Sequence, residues 1–275
     1  MAREINKDTV LCISLAARPS NVGTRFHNYL YEALNLNFVY KAFAPTDIAD
    51  AVRGIRGLGI RGAAVSMPYK STVIPMLDEL DPSAAEIGAV NTIVNTDGHL
   101  HGYNTDVIAV EQLLASHEVR PDIPVALLGS GGMAKACAAA LARAGFANVT
   151  VVARNQAAGC ELADRHGWSW SDTAEPRFAM LLNATPIGMA GGAESEAMPV
   201  SDDVVHQAAT VFDVIAFPPD TPLLRRAAAL GKQCISGADV MILQAVEQFE
   251  LYTGVRPSPE HVRAAGAYSR EAVSA

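Results

Sequence analysis

Three short segments carry side chains able to handle a proton: Ser66-Met67-Pro68-Tyr69-Lys70, Gly88-Ala89-Val90-Asn91-Thr92 and Tyr103-Asn104-Thr105-Asp106. They contribute an amine, an amide and a carboxylate, and all three precede a glycine-rich loop. A lysine withdrawn from water in a cleft exchanges a proton with an alcohol or ketone oxygen near neutral pH. A carboxylate beside it can hold the ammonium and bind the reacting hydroxyl. Asn91, with two donors and an acceptor oxygen, suits the orientation of a polyhydroxylated ligand better than proton transfer. Beside a dinucleotide the set serves carbonyl/alcohol redox chemistry. Each residue also has a plainer role open to it: a solvated charge for Lys70, a helix cap for Asp106, a buried turn amide for Asn91.

The loop is Gly129-Ser130-Gly131-Gly132-Met133-Ala134, placed between the apolar run Val125-Ala126-Leu127-Leu128 and an alanine-rich helical stretch. That context makes G-x-G-x-x-A a dinucleotide signal: Gly129 permits the tight turn, Gly131 lets backbone approach a pyrophosphate, and Ala134 allows close helix packing. Amides at the helix start then face the phosphates. The next strand, from Val149 to Ala153, ends in Arg154, where an NAD-preferring fold usually carries an acid. A guanidinium there pairs with a 2'-phosphate, so NADP is expected, with NAD possible; a solvated surface arginine is the competing reading.

The elements that must position these groups are those of an α/β chain. Short Val/Ile/Leu runs alternate with longer helical stretches, the pattern of parallel α/β structure. Strands are expected over 9–14, 38–42, 63–66, 90–95 and 100–103, and helices over about 23–36, 47–58 and 106–117. Thr96-Asp97-Gly98-His99 is a two-strand turn signal. The polar, proline-bearing segment 118–124 reads as a linker into the second α/β unit.

Composition limits the partners. The net charge of -8, with a pI near 5.3 and no basic run interleaved with aromatics, argues against nucleic acid or an anionic membrane surface. Four cysteines lie far apart without CxxC or histidine at ligand spacing, so reduced thiols, a cytoplasmic location and no metal are expected. The N-terminal residues show no apolar leader, and no segment sustains about 18 uncharged apolar residues. His27 reads as a packed helix residue rather than a base.

Taken in order, the motifs resemble one family over nearly the full chain. The series is His27-Asn28, Gly62 to Lys70, Gly88 to Thr92, Asn104 to Asp106, Gly129 to Ala134, Asn183-Ala184-Thr185-Pro186-Ile187-Gly188, Asp213 with Thr221-Pro222, and Gly237 with Gln244. The chain is thereby similar to the shikimate dehydrogenase family. Residues 18–28 and 240–248 look like its divergent shikimate dehydrogenase-like subgroup.

The resemblance implies a two-domain α/β fold: a parallel α/β substrate domain over 1–106, a Rossmann-type doubly wound dinucleotide-binding domain over 107–237, and C-terminal helices over 238–275 that return to the substrate domain. It implies NADP-linked interconversion of 3-dehydroshikimate and shikimate, with Lys70 and Asp106 in the positions of the catalytic pair. Hydride would pass between nicotinamide C4 and substrate C3 while Lys70 exchanges the proton and Asp106 orients it. Ser66, Asn91 and Gln244 would bind ring hydroxyls. Gly129, Ser130, Gly131, Gly132, Met133, Ala134, Arg154, Thr185, Val214 and Gly237 would contact the cofactor. A role in aromatic amino acid biosynthesis and a monomeric or homodimeric state complete the implication.

The departures concern the far end of the substrate. Family members typically carry H-S-x-S-P before His-Asn, with the serines binding the substrate carboxylate; Asn21 and Gly23 stand there instead. Ser20, Asn21 and Thr24 are left as replacement donors. Ala64 replaces the usual asparagine of the G-A-N-V-T strand, and Ala216 a tyrosine after the aspartate strand. The resemblance thus implies a cyclic hydroxy acid of the shikimate type as substrate. Quinate, an aminated shikimate analogue, or an idle dinucleotide sensor are the rival readings.

Overall fold

Strand and helix alternate along the chain as the apolar periodicity requires, and they sort into two sheets. The computed structural model describes residues 5–270; residues 1–4 and 271–275, the ends of the N-terminal stretch and of the C-terminal segment considered above, lie outside the described residues. Contacts divide the chain into one unit running to Thr105 and resuming at Ile242, and a second from Asp106 to Met241. The borders differ slightly from 106/107 and 237/238, and the expected and observed positions of the second both fall within one continuous helix that starts at Gly237.

In the first unit the elements are β1 (Val10–Leu15), α1 (Asn21–Ala33), β2 (Phe38–Phe43), α2 (Ile48–Gly57), β3 (Gly62–Val65), a 3-10 turn at Ile74–Met76, β4 (Glu79–Leu80), α3 (Pro82–Ala85), β5 (Thr92–Thr96) and β6 (His99–Tyr103). The sheet order is β2-β1-β3-β5-β6-β4. It is mixed: β1 runs parallel to β2 and β3, whereas β5 is antiparallel to both β3 and β6. The β5–β6 hairpin follows from Asp97-Gly98, whose φ values of 52° and 90° are both positive, as a type I' turn demands. Asn95 fixes it, accepting from Gly98 N–H at 2.8 Å and donating to Ile55 O at 3.0 Å.

Alternation along β1 sends Ile13 and Leu15 into one core and Cys12 into another on the opposite face. The second core takes Phe26, His27 and Tyr31 from α1, and Phe249 and Tyr252 from the C-terminal helix. Helix α1 starts and stops earlier than its apolar spacing suggests. Ser20 takes the N-cap position, and Asn35 at φ 51° turns the chain left-handed just past Ala33. In α2, Asp47 caps by accepting from Asp50 N–H at 2.8 Å.

The second unit contains α4 (Thr105–Ser116, its first residue still in the first unit), β7 (Val125–Leu128), α5 (Gly132–Arg143), β8 (Val149–Val152), α6 (Gln156–His166), β9 (Ser169–Ser171), β10 (Met180–Asn183), α7 (Asp202–Gln207), β11 (Thr210–Asp213), α8 (Pro222–Ala229) and β12 (Gln233–Ser236). Helices α9 (Gly237–Thr253) and α10 (Pro259–Arg270) end the described chain. All pairings in this sheet are parallel, in the order β9-β8-β7-β10-β11-β12. Numbered from β7, that is the doubly wound order 3-2-1-4-5-6, whose reversal between β7 and β10 opens a crevice at the strands' carboxyl ends. The alanines of α5, from Ala134 through Ala140, are buried.

Among the described residues no helix is long and apolar enough to cross a membrane, and no group of three or more His, Cys, Asp or Glu is placed to hold a metal. The four cysteines are free thiols.

Candidate active site

In the first unit, main-chain hydrogen bonds draw the predicted residues to one end of the sheet. Val65 N–H donates to Asn91 O at 2.7 Å, Val90 N–H to Lys70 O at 2.8 Å, and Asn91 N–H to Tyr103 O at 3.0 Å. Ser66 leaves the end of β3 exposed, and Lys70 is half-buried. Asn91 is 3% exposed, and its amide oxygen accepts from Thr92 Oγ1 at 2.8 Å, from Thr105 N–H at 2.8 Å and from Thr105 Oγ1 at 3.1 Å. Thr105 Oγ1 also reaches Gln244 Oε1 at 3.4 Å, so Gln244 of α9 joins the same group. Asn104 is anchored on both sides, its N–H donating to Ser83 Oγ at 3.0 Å and its amide nitrogen to Ala89 O at 2.9 Å. Asp106 follows Thr105 as the second residue of α4, one position inside the helix rather than at its cap.

The residues assigned to the far end of the substrate are less uniform. Ser20 and Asn21 are exposed at the start of α1, and the Ser20 side chain makes no capping bond. Thr24 departs from the expectation of an open donor: its Oγ1 is enclosed, with no hydrogen-bond partner. At Gly23 an added Cβ would meet only the Tyr40 ring and hydroxyl, at 3.9 Å, which is ordinary contact distance.

In the second unit a cleft of about 340 Å³ sits at the β7/β10 switch point, lined by Gly129, Ser130, Gly131, Arg154, Thr185 and neighbouring residues. Gly129 has φ 109°, and a Cβ there would stand 3.1 Å from Ala184 O, so glycine is required. Around Gly131 and Gly132 nothing lies within 4 Å of a Cβ position. Gly131 holds the N-cap position of α5, and Ala134 is fully buried against the sheet. Arg154 enters the cleft with an exposed side chain, 3.9 Å from Glu194. Gly237 has no room for a side chain, because its Cβ would lie 2.2 Å from the Val214 carbonyl carbon. That contact places Val214 and Gly237 side by side.

Thr185 differs from expectation. Its hydroxyl is committed internally, donating to Asn183 Oδ1 at 2.7 Å, which leaves main chain and methyl to face the cleft. Asn183 in turn donates to Asp213 Oδ1 at 3.1 Å, and Thr221 Oγ1 to Asp213 Oδ2 at 2.7 Å. Burial pushes the Asp213 carboxyl up to about 6, against the hydrogen bonds from Thr221, Ile215 and Asn183 that favour its charge. The buried Cys137 thiol of α5 is pushed up by burial first and then by the charge of Asp106, which sets Asp106 electrostatically close to the helix of the glycine loop.

His27 is a packed residue. Its ring is fully buried and stacks on Tyr40 at 4.4 Å and 10°, and burial pushes the imidazole down to about 3. Sequence reading overlooked Thr92, Thr105 and Gln248 around Asn91, and Asn155 and Asp172 in the cleft. For Gln248 only its spacing of four from Gln244 puts it on the same helix face. Asp172 follows a short polar strand and carries no motif.

Comparison with known proteins completes the description. Residues 21–93 match the family described as the shikimate dehydrogenase substrate binding domain. A shikimate dehydrogenase-like protein of Haemophilus influenzae is 51% identical over 267 residues, covering 97% of this chain and 98% of that protein. The solved structure of a shikimate 5-dehydrogenase-like protein has a TM-score of 0.95 at 51% identity and covers 97% of this chain and 100% of that one. Shikimate 5-dehydrogenase of Thermus thermophilus, solved with NADP(H) and shikimate, has a TM-score of 0.83 at 27% identity and covers 94% of this chain and 99% of that one.

Proposed function

The chain belongs to the shikimate dehydrogenase family, and we propose that it is an NADP-dependent oxidoreductase interconverting 3-dehydroshikimate and shikimate or a close ring analogue. The observation that carries this reading is the convergence of Ser66, Lys70, Asn91 and Gln244 in the first unit, with Thr105 delivering Asp106 as the next residue. In this reading the first unit, which runs to Thr105 and resumes at Ile242, is the substrate domain and the second the dinucleotide domain.

The second unit fits a dinucleotide. The open space at Gly131 and Gly132 admits a pyrophosphate against the N-terminus of α5, and Arg154 supplies a guanidinium to a 2'-phosphate. Gly129 to Ala134, Arg154, Thr185, Val214 and Gly237 would hold NADP, which when bound supplies or accepts the hydride.

The chain's own part is the proton. Lys70 gives a proton to the substrate carbonyl oxygen in reduction and takes it back in oxidation, while Asp106 holds the ammonium and the reacting oxygen. Ser66, Asn91 and Gln244 bind ring hydroxyls. In a Lys70→Ala variant kcat should fall about 100-fold or more, since positioned acid/base groups typically contribute that much, with NADP affinity unchanged. Turnover within a few fold of wild type would remove Lys70 from the mechanism.

The absence of a side chain at Gly23, where the resemblance leads one to expect a serine, favours a second reading of the substrate alone: a ring acid such as quinate, whose far end differs from that of shikimate.

A further inference from the structure

The hydrogen bonds around Asn91 have a direction, and it starts at Gln248. Gln248, 4% exposed on α9, donates its amide Nε2–H to Thr92 Oγ1 at 3.0 Å and reaches Asn91 O at 3.4 Å. Thr92, fully buried, therefore receives on its oxygen and has its single proton free for Asn91 Oδ1 at 2.8 Å. The orientation of the Asn91 amide follows from a group that can only donate: the Thr105 backbone N–H, 2.8 Å from Oδ1. The Thr92 hydroxyl and the Thr105 N–H fill the two lone pairs of that oxygen, while the single proton of Thr105 Oγ1 lies between it, at 3.1 Å, and Gln244 Oε1, at 3.4 Å. The amide nitrogen makes no hydrogen bond to a described residue. What Asn91 offers a ligand is thus N–H donors and nothing else.

We propose that Gln248 is a positioning residue which, through Thr92, fills the second lone pair of the Asn91 oxygen beside the Thr105 N–H and so leaves Asn91 a pure hydrogen-bond donor. The site at Asn91 thereby selects a ring substituent with lone pairs, hydroxyl or keto, over a protonated amine. This rests on the assignment of Asn91 as a substrate contact made above. An ammonium group has three donors and no acceptor, so it would meet N–H against N–H. The device discriminates by leaving donors unpaired, which is how polar sites reject analogues most strongly. It also excludes the aminated shikimate analogue as the preferred ligand of this chain.

The test compares shikimate with its analogue bearing an amino group in place of a ring hydroxyl, in wild type, Gln248→Leu and Thr92→Val, the last being nearly isosteric. Binding is read by calorimetry and turnover by reduced nicotinamide. Wild type should bind the hydroxylated acid at least about tenfold more tightly than the aminated one. Both variants should lose part of that discrimination, because the Thr105 N–H still holds one lone pair of the Asn91 oxygen while the other is released, with KM for shikimate raised several fold, kcat little changed and NADP binding intact. Discrimination unchanged in a folded Thr92→Val protein overturns the proposal. If wild type binds neither acid, the assignment of substrate fails by itself. The side-chain NH2 resonances of Asn91 then decide: they should shift and exchange faster with solvent in both variants, and identical spectra would overturn the role of Gln248.

Discussion

Arg154 shows how much one side chain can carry at this site. It stands at the end of β8, lines the dinucleotide cleft and is exposed, with only a 3.9 Å approach to Glu194, so its guanidinium is open to a phosphate. An exposed ion pair of that kind contributes little. Arg154→Ala should therefore raise the dissociation constant for NADP about tenfold or more while leaving that for NAD nearly unchanged, as titration of both cofactors would show. Equal changes for the two would assign the arginine to the surface. Lys70, Asn91 and Arg154 were legible as residue types with chemistry in sequence. The enclosure of Thr24 and the commitment of Gln248 were not, because each is made by the fold; Gln248 and Thr92 are separated by 156 positions.

At the scale of elements, local signals were read well where a single physical rule dominates. Asp97-Gly98 demanded a hairpin, and the glycine loop after an apolar strand demanded a helix start. The limits of α1 were harder to read, because its apolar spacing runs on past Ala33 while the left-handed Asn35 stops the helix. That shift matters for function, since it puts Ser20 at the N-cap position, Asn21 on the first turn and Gly23 against Tyr40. A serine side chain fits at Gly23 without displacing Tyr40. Asn21→Ser combined with Gly23→Ser should tighten binding of shikimate by about one decade or more, one decade being the size of a single weak hydrogen bond to a charged group. Calorimetry with shikimate and quinate would show whether the gain is confined to one acid; no gain for either would mean that the carboxylate lies elsewhere.

On the scale of the molecule, two buried titratable groups, one in each unit, respond to acid with opposite sign. His27 in the first unit protonates only near 3 when folded, against 6.5 ordinarily, because burial disfavours its charge. Between those values the unfolded chain binds more protons, so this contribution is complete above pH 6.5 and is lost as pH falls, at about 1.4 kcal/mol per pH unit. Asp213 in the second unit has the reverse sign. Raised from 3.8 to about 6, it binds its proton more readily when folded, so its contribution is present below pH 3.8 and lost as pH rises to 6. His27→Phe should reduce the acid sensitivity of the first unit, seen as a smaller loss of denaturation midpoint between pH 6.5 and 4 than in wild type. The same loss in both proteins would place the sensitivity in another group.

The two-sheet organisation was legible because strand and helix signals alternate and because the motif order spans both units. The mixed pairing in the first sheet was less so, since apolar runs give strand positions but not partners. The proposed NADP-linked redox chemistry on a ring acid is checked by an activity matrix on the purified protein, with shikimate, quinate and the aminated analogue each offered with NADP and NAD, following absorbance of reduced nicotinamide. We expect turnover of a hydroxylated ring acid, faster with NADP than with NAD at equal concentration. No reduction of either cofactor with any of the acids would contradict the account.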